Sequence, residues 1–314
     1  MLVTQDIITP RAAPSTVALG LFDGVHMGHR AVISSAVEKA RERGLIPRVF
    51  TFLPDGPAPK SKGGLTLLQA ESQKEAILDR LGVEEVICPP FEAFRAMTPE
   101  QFVLDFLDKV LRAKELVCGF NYHFGKGGAA GVEELTALCA PLGITVTALP
   151  PVLWQGEVVS STRIRRCIRE GEMEEAGRML RSPFTLTAEV VHGKGLAGTL
   201  SWPTINQVFP TDFTIPRHGV YWSRIELEGK EWDGVTNVGI KPTLHETNLT
   251  METYILDYSG DLYGRMVPVS LLRFLRPEQR FPSVEALSQR IQKDIETVRQ
   301  GVPAASPSDG EIPR

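Results

Sequence analysis

Cysteines are few in this sequence and widely spaced. The 314 residues include four, Cys88, Cys118, Cys139 and Cys167, and no two of them form a C-x-x-C pair. This spacing argues against a zinc knuckle and against a disulfide framework, and it fits a reducing compartment. Buried free thiols are therefore the expectation. A pairing of Cys88 with Cys118 on neighbouring strands is the alternative.

Long apolar runs are missing as well. No stretch approaches the ~20 consecutive apolar residues that cross a bilayer. Residues 1–6 do not begin a basic segment followed by an apolar one, which is the pattern of a secretory signal peptide. We therefore expect a cytoplasmic protein with no membrane partner.

Neither sign of charge dominates the sequence. The 34 Lys and Arg residues stand against 38 Asp and Glu residues, for a net charge of −4. This imbalance creates no global field that would attract nucleic acid, so any nucleotide recognition requires a local site. At roughly 150 residues per domain, the length predicts about two domains. A monomer or a weak homo-oligomer is the expected state.

The first half alternates strand-like and helix-like segments. Strands are expected at residues 17–19, 48–52, 85–88, 115–118 and 144–147. Apolar residues recur with helical spacing between 32 and 40, and Thr98-Pro99-Glu100-Gln101 has the pattern of a helix start with a capping box. This alternation predicts an α/β domain over residues 1–181, with a doubly wound parallel sheet covered on both faces.

The second half contains short strands separated by turn residues. Strands are expected at 186–191, 220–227, 232–238, 251–257 and 267–273, followed by a helix from Val284 to about Val298 with Ser283 as its cap. This pattern predicts a small antiparallel β-barrel with a C-terminal helix over residues 182–300. The tail, 301–314, is rich in Pro, Ala and Ser, and we expect it to be disordered.

One glycine-containing turn joins the first predicted strand to a helix. It spans residues 20–29 with the sequence GLFDGVHMGH. Gly20 and Gly24 allow the backbone to approach a ligand closely, and the start of the helix offers free N–H groups to a phosphate. His26 and His29, three residues apart, can face the same phosphate. The alternatives are a purely structural turn and half of a metal site, although no Cys or Glu has suitable spacing for zinc.

Two further segments of the first half carry polar or aromatic groups. Ser160, Ser161 and Thr162 stand with Arg165 before an amphipathic helix, so the hydroxyls either cap this helix or bind a triphosphate together with the arginine. The segment CGFNYHFGKGG at 118–128 follows a strand, and its aromatic residues either stack on a flat ring or pack in the core.

A glycine loop and two oxygen ligands mark the second half. The loop contains Gly193, Lys194 and Gly195, and it can wrap phosphates through backbone N–H groups. Thr204 and Asn206 point the same way in an extended chain and suit Mg²⁺ that carries nucleotide phosphates. The alternative is a bulged strand whose Pro203 marks a sheet edge.

The motifs of the first half resemble those of nucleotidyltransferases, and in particular the prokaryotic FAD synthetases. The resemblance implies that the turn binds ATP through Gly20, Phe22, Asp23 and Gly24, with His26 and His29 in catalysis. It implies ATP binding by Ser160, Ser161, Thr162 and Arg165, and flavin binding by Asn121 and Phe124.

The second half resembles riboflavin kinases, by its P-T-x-N string at 203–206 and by the segments 219–221, 237–239, 241–243, 252–257, 261–264 and 274–278. Together the two resemblances cover nearly all of residues 15–299, in the order of the bacterial bifunctional riboflavin kinase/FAD synthetases. They imply Glu252 as the general base, Thr204 and Asn206 as Mg²⁺ ligands, and Arg276 at the flavin. Riboflavin, FMN, FAD and ATP are then the expected ligands.

The sequence departs from the family pattern in two loops. The family's Asp-Pro-His-Pro is replaced by LPDGP at 53–57, and Leu196-Ala197-Gly198 stands where Gly-Arg is common. These departures leave alternatives open. One is an enzyme with a single active site, the kinase before the synthetase. The others are a flavin-binding regulator without catalysis and a nucleotidyltransferase for another phosphate ester.

Overall fold

The computed structural model describes residues 1–52, 66–192, 204–242 and 247–301. Its contacts divide the chain into two units. The first unit contains Met1–Arg166, Arg178–Ser182 and Thr211–Thr214, and the second contains Cys167–Gly177, Pro183–Pro210 and Ile215–Arg314. The units therefore interleave along the sequence, and the simple domain limits 1–181 and 182–300 stay predictions.

The first unit is built on a six-stranded, all-parallel sheet. Its order is β1-β4-β3-β2-β5-β6, and a two-stranded hairpin, β7-β8, follows in the chain. The strands are β1 Leu2–Thr4, β2 Ser15–Leu19, β3 Ile46–Phe50, β4 Glu85–Ile87, β5 Ala113–Gly119, β6 Thr145–Leu149, β7 Leu153–Trp154 and β8 Glu157–Val158.

Helices cover both faces of this sheet, as the doubly wound prediction requires. Val17 and Leu19 of β2 face one apolar core, while Ala18 between them faces the other, because side chains alternate along a strand. The helices are α1 Met27–Arg43, α2 Glu71–Arg80, α3 Pro99–Gln101, α4 Val132–Cys139, α5 Ser161–Glu170 and α6 Met173–Leu180. α1 and α2 pack on the Ala18 side, and α4 packs on the other.

The predicted helix start at Thr98 is confirmed, but the helix that follows is unusual. The Thr98 hydroxyl accepts the Gln101 N–H at 3.2 Å, and the Gln101 side chain accepts the Thr98 N–H at 2.9 Å. After α3 the chain continues as a π-helix, Phe102–Val110, whose apolar side chains other than Leu104 are buried. A π-helical turn widens the helix and frequently lies at a functional site.

The second unit contains a closed antiparallel barrel of six strands. Its order is β10-β13-β12-β11-β14-β9, which confirms the barrel prediction. The strands are β9 Phe184–Val191, β10 Thr204–Val208, β11 Gly219–Leu227, β12 Lys230–Pro242, β13 Thr247–Ile255 and β14 Met266–Arg276.

A C-terminal helix, α7 Val284–Arg299, packs against the outside of this barrel. As predicted, it is capped by Ser283, whose hydroxyl accepts the Ala286 N–H at 3.2 Å. Its buried Ile295 and Val298 pack against a cluster that includes Val220 and Val235. Residues 302–314, most of the tail predicted to be disordered, lie outside the described part of the chain.

All four cysteines are free and buried. The alternative of a Cys88–Cys118 pair is wrong, because Cys88 follows β4 while Cys118 lies in β5, and these strands are not neighbours in the sheet. Burial raises the pKa of the Cys88 and Cys118 thiols to about 11. Within the ranges that the structure describes, no helix has the length and apolar character to cross a membrane.

Candidate active sites

The glycine-containing turn of the first unit has an unusual backbone. It follows β2 at the carboxyl edge of the sheet, and three of its residues adopt positive φ: Phe22 at 52°, Gly24 at 81° and Val25 at 31°. Positive φ is costly for a β-branched residue such as Val25, and strain of this kind is concentrated at functional sites. A Cβ atom on Gly20 would lie 2.9 Å from the Phe22 ring, so this position requires glycine.

His26 ends the turn as the N-cap of α1. Its Nδ1 accepts the backbone N–H of His29 at 3.3 Å, so the proton of the neutral ring lies on Nε2. Burial lowers the pKa of His26 to about 4, and the Arg165 guanidinium acts in the same direction. His26 is therefore a neutral hydrogen-bond donor at neutral pH.

His29 lies directly against His26. The two rings stack with centroids 3.5 Å apart, and the Phe22 ring meets His29 edge-on at 5.4 Å. Burial lowers the pKa of His29, with further contributions from His26 and Lys74. His29 is the third residue of α1, after Met27 and Gly28. The N–H groups of Met27 and Gly28 have no acceptor within the helix, because the first turn of a helix lacks the preceding carbonyls.

A cavity of about 520 Å³ opens beside these histidines. It brings together eight of the predicted site residues: Gly20, Phe22, His26, His29, Asn121, Phe124, Ser160 and Ser161. Asp23, Gly24, Thr162 and Arg165 do not line it. The cavity therefore brings both histidines and the two serines to one place, whereas the other four residues of the same motifs lie outside its lining. The roles of all of them stay predictions.

Asp23 and Arg165 form a buried ion pair. The Arg165 Nη2 donates to an Asp23 carboxylate oxygen, while its Nε donates to the Thr66 carbonyl at 2.8 Å. The Asp23 carboxylate also accepts the Leu68 N–H at 3.1 Å. Burial raises the pKa of Asp23, and the neighbouring Arg165 opposes that effect. The polar contacts described for the Asp23 carboxylate and the Arg165 guanidinium are therefore with each other and with the backbone of Thr66 and Leu68.

Ser160 and Ser161 both bond to protein groups. Ser160 caps the start of α5, because its Oγ accepts the Arg163 N–H at 3.2 Å. Ser161 donates to the Asp23 carbonyl at 3.1 Å and so ties α5 to the turn. Phosphate binding by these hydroxyls stays a prediction.

Aromatic side chains contribute much of the lining of the cavity. Phe124 packs in the core beside Phe102, with ring centroids 5.5 Å apart, and also lines the cavity, while Phe120 is half exposed. Sequence reasoning missed Phe91 and Phe94, which meet at 5.4 Å in a short 3₁₀ turn after β4. The turn contains no glycine, and its one charged residue, Glu92, is exposed and pairs with Arg95 at 2.7 Å. The F-x-x-F spacing was the only signal available.

Asn206, Glu252 and Asn237 form one row across the outer face of the barrel. Asn206 faces Glu252 across β10 and β13, and Glu252 faces Asn237 across β13 and β12. Met251 and Thr253, on either side of Glu252, are fully buried inside the barrel, so Glu252 points outward. Directly opposed residues have Cβ atoms roughly 5 Å apart.

Thr204 lies two residues before Asn206 and shares its face. The Asn206 Nδ2 is directed to the Thr204 carbonyl at 3.4 Å, which leaves the amide oxygen for another partner. A hydroxyl and an amide oxygen beside a carboxylate are donors that fit Mg²⁺. Among the residues with described positions, no group of three His, Cys, Asp or Glu side chains is arranged to hold a metal.

Arg276, the predicted flavin ligand, has a structural partner. It donates to Asp294 of α7 from Nε at 2.9 Å and from Nη2 at 2.7 Å, and both side chains are buried. Its flavin contact stays a prediction. Gly193, Lys194 and Gly195 lie outside the described residues, as do the altered loops 53–57 and 196–198.

Comparison with known proteins defines the class. A model of the FAD synthetase family matches residues 8–163, and a model of the riboflavin kinase family matches residues 180–302. Two transferase domains, one for nucleotidyl groups and one for phosphoryl groups, therefore follow one another in this chain, and the protein is an enzyme.

Full-length relatives show the same order. The bifunctional riboflavin kinase/FMN adenylyltransferase of Listeria monocytogenes is 35% identical over 290 residues, which cover 90% of this chain and 91% of the relative. The corresponding protein of Escherichia coli strain K12 is 34% identical over 292 residues, with coverage of 90% and 91%. The chain belongs to the family of bifunctional riboflavin kinase/FMN adenylyltransferases.

A solved structure supports the whole-chain fold. It is named as a macrolide-efflux protein from Streptococcus pneumoniae and superposes with a TM-score of 0.84 at 31% identity. The match covers 93% of this chain and 95% of that one. Its name differs from those of the sequence relatives, but its sequence and fold are similar to this chain over nearly the full length.

Proposed function

We propose that this chain makes FAD from riboflavin in two ATP-dependent steps. In the first, a ribityl hydroxyl of riboflavin attacks the γ-phosphorus of ATP, which gives FMN and ADP. In the second, an FMN phosphate oxygen attacks the α-phosphorus of another ATP, which gives FAD and pyrophosphate. The observation that carries this proposal is the cavity of the first unit, where stacked His26 and His29 at a helix start share one space with an aromatic wall.

The residues beside α1 suit the adenylyl transfer. The Nε2–H of neutral His26 and the N–H groups of Met27 and Gly28 are donors that need no change of protonation during the reaction. They can stabilise the charge that develops on the α-phosphate and on the leaving pyrophosphate. Phe91, Phe94 and Phe124 offer ring faces to the isoalloxazine, with Asn121 as a polar contact.

The row on the barrel suits the phosphorylation. Glu252 takes the proton from the ribityl hydroxyl as that oxygen attacks. Thr204 and Asn206 would hold Mg²⁺, which neutralises charge on the ATP phosphates when it is bound. Catalysis then depends on positioning and charge stabilisation, without a covalent enzyme intermediate.

The remaining assignments follow from family membership. Ser160, Ser161 and Thr162 with Gly193, Lys194 and Gly195 are assigned to ATP. We place the enzyme in the cytoplasm, as a monomer or weak homo-oligomer without nucleic-acid or membrane partners, which agrees with a net charge of −4.

Incubation with riboflavin, ATP and Mg²⁺, followed by chromatography of the flavins, tests this function. We expect FMN to appear first and FAD to follow. If FMN forms but FAD does not, the chain has riboflavin kinase activity only. If FAD forms only when FMN is supplied, the chain has adenylyltransferase activity only. Tight flavin binding without turnover would support a regulator and refute both activities.

A further inference from the structure

The segment Thr211–Thr214 lies in an unexpected place. It joins β10 to β11, and so falls inside the 180–302 match to riboflavin kinase. Residues before it, Pro183–Pro210, and after it, from Ile215 onward, belong to the second unit. The segment itself packs with the first unit, which contains the adenylyl-transfer site.

Four hydrogen bonds hold this segment against residues 66 and 67. The Leu67 N–H donates to the Asp212 carbonyl at 2.8 Å, and the Thr214 N–H donates to the Leu67 carbonyl at 2.9 Å. The Thr66 and Thr214 hydroxyls bond to each other at 2.9 Å, with a longer contact of 3.5 Å from the Thr214 hydroxyl to the Thr66 carbonyl. Thr214 is fully buried.

Residues 66–68 in turn hold the two charges behind the histidine turn. The Thr66 carbonyl accepts Arg165 Nε at 2.8 Å, and the Leu68 N–H donates to Asp23 at 3.1 Å. Asp23 lies three residues before His26, and the ion pair between Asp23 and Arg165 closes the connection. The path from Thr214 to the turn therefore runs through Thr66 and Arg165, with a hydrogen bond at every step.

We propose that Thr211–Thr214, although it belongs to the riboflavin kinase sequence, is a positioning element of the adenylyl-transfer site, and that Thr214 makes its most important contacts. This inference rests on the proposed function of the first unit. Arg165 and Asp23 fix the turn in its strained conformation. The 211–214 segment fixes residues 66–68, to which Arg165 and Asp23 are hydrogen-bonded. Arg165 is thus a positioning residue, buried behind the cavity that holds the histidines.

The chemistry of the Thr66–Thr214 contact makes it testable. Replacement of Thr214 by Val preserves the shape of the side chain but leaves the Thr66 hydroxyl without its partner, and loss of one partner of a buried hydrogen bond costs more than loss of both. Replacement by Ser keeps the hydroxyl. Thr187→Val is the matched control, because Thr187 is an exposed threonine of the barrel strand β9.

The experiment measures both activities in each variant. We expect Thr214→Val to lower kcat for FAD formation from FMN and ATP about tenfold, with KM for FMN and the rate of FMN formation from riboflavin within about twofold of wild type. Thr214→Ser restores FAD formation, and Thr187→Val changes neither rate. Amide hydrogen exchange of residues 20–29 and 66–68 becomes faster in Thr214→Val and stays at wild-type rates in Thr214→Ser.

Three results would overturn the inference: unchanged FAD formation in Thr214→Val, equal loss of both activities, or no rescue by Ser. If the Val variant fails to fold, Thr214→Ala removes the same hydroxyl without placing a methyl group against the Thr66 hydroxyl. If the wild-type chain makes no FAD, the proposed function fails. The exchange measurement then still tests the 211–214 segment, since unchanged exchange at 20–29 refutes its positioning role by itself.

Discussion

Asp294→Asn tests whether the buried pair with Arg276 holds the C-terminal helix to the barrel. The guanidinium reaches the carboxylate from two nitrogens, at 2.9 and 2.7 Å, and the two side chains are only 9% and 3% exposed. Arg290 adds a contact at 3.3 Å to the same carboxylate. Because the substitution leaves Arg276 as a buried charge without its counter-ion, we expect a loss of about 3–5 kcal/mol in the free energy of unfolding.

The same chain supplies a matched control. Asp257 pairs with Arg299 of α7 at 2.6 Å, but these side chains are 71% and 53% exposed. Solvent screens such a pair, so Asp257→Asn is expected to cost less than about 1 kcal/mol. Urea unfolding, with loss of riboflavin kinase activity as the marker of the barrel transition, measures both variants. A cost for Asp294→Asn no larger than that for Asp257→Asn would refute the reasoning.

A double replacement separates stability from flavin binding. Arg276→Met combined with Asp294→Leu removes both charges, so we expect it to recover most of the lost stability. If Arg276 only holds α7, KM for riboflavin in this double variant stays near the wild-type value. A large rise in KM with normal stability would show that Arg276 also contacts the flavin, as the resemblance implies.

Three further predictions concern the two sites. The pKa of His26 is about 4 in the folded chain, against an ordinary value near 6.5, so the unfolded chain binds more protons between these values and stability falls as the pH decreases. The contribution of His26 to this loss is about 2 kcal/mol at pH 5. In urea unfolding at pH 7 and pH 5, His26→Asn, which keeps an N-cap, therefore reduces the difference by about that amount, while His29, whose pKa burial also lowers, keeps its own contribution. Gly20→Ala places a Cβ 2.9 Å from the Phe22 ring beside His29, so FAD formation falls on the order of tenfold or more while FMN formation is unchanged in the same assay; equal rates of FAD formation would contradict it. Gly239→Ala places a Cβ against the carboxylate of Glu278, an exposed side chain that can move aside, so only its 3.4 Å contact with Asn237 next to Glu252 is lost. FMN formation from riboflavin is therefore expected to stay within about twofold of wild type, and a tenfold fall with normal FAD formation from FMN would contradict it.

Local patterns predicted much of the fold. The strand–glycine–helix sequence at 15–43 and the capping box at Thr98 depend on residues close in sequence, and both are present. The barrel strands were also recognisable from alternating apolar residues and turn residues. Val17 and Ala18 face opposite cores because the strand has a period of two.

Long-range partners were beyond sequence reasoning. Asp23 and Arg165 are 142 residues apart, and nothing in either motif indicates that the two side chains form an ion pair. The same is true of Thr66 and Thr214, which are 148 residues apart. Phe91 and Phe94 lie in a turn without a characteristic motif, so their contribution to the cavity depends on the folded sheet.

The most direct test of two separate sites uses His29→Ala and Glu252→Ala with each substrate in turn. The account predicts that His29→Ala converts riboflavin to FMN at the wild-type rate and forms no FAD. It predicts that Glu252→Ala forms no FMN from riboflavin but converts supplied FMN to FAD normally. Loss of both activities in either folded variant, or FAD formation by His29→Ala, would contradict it.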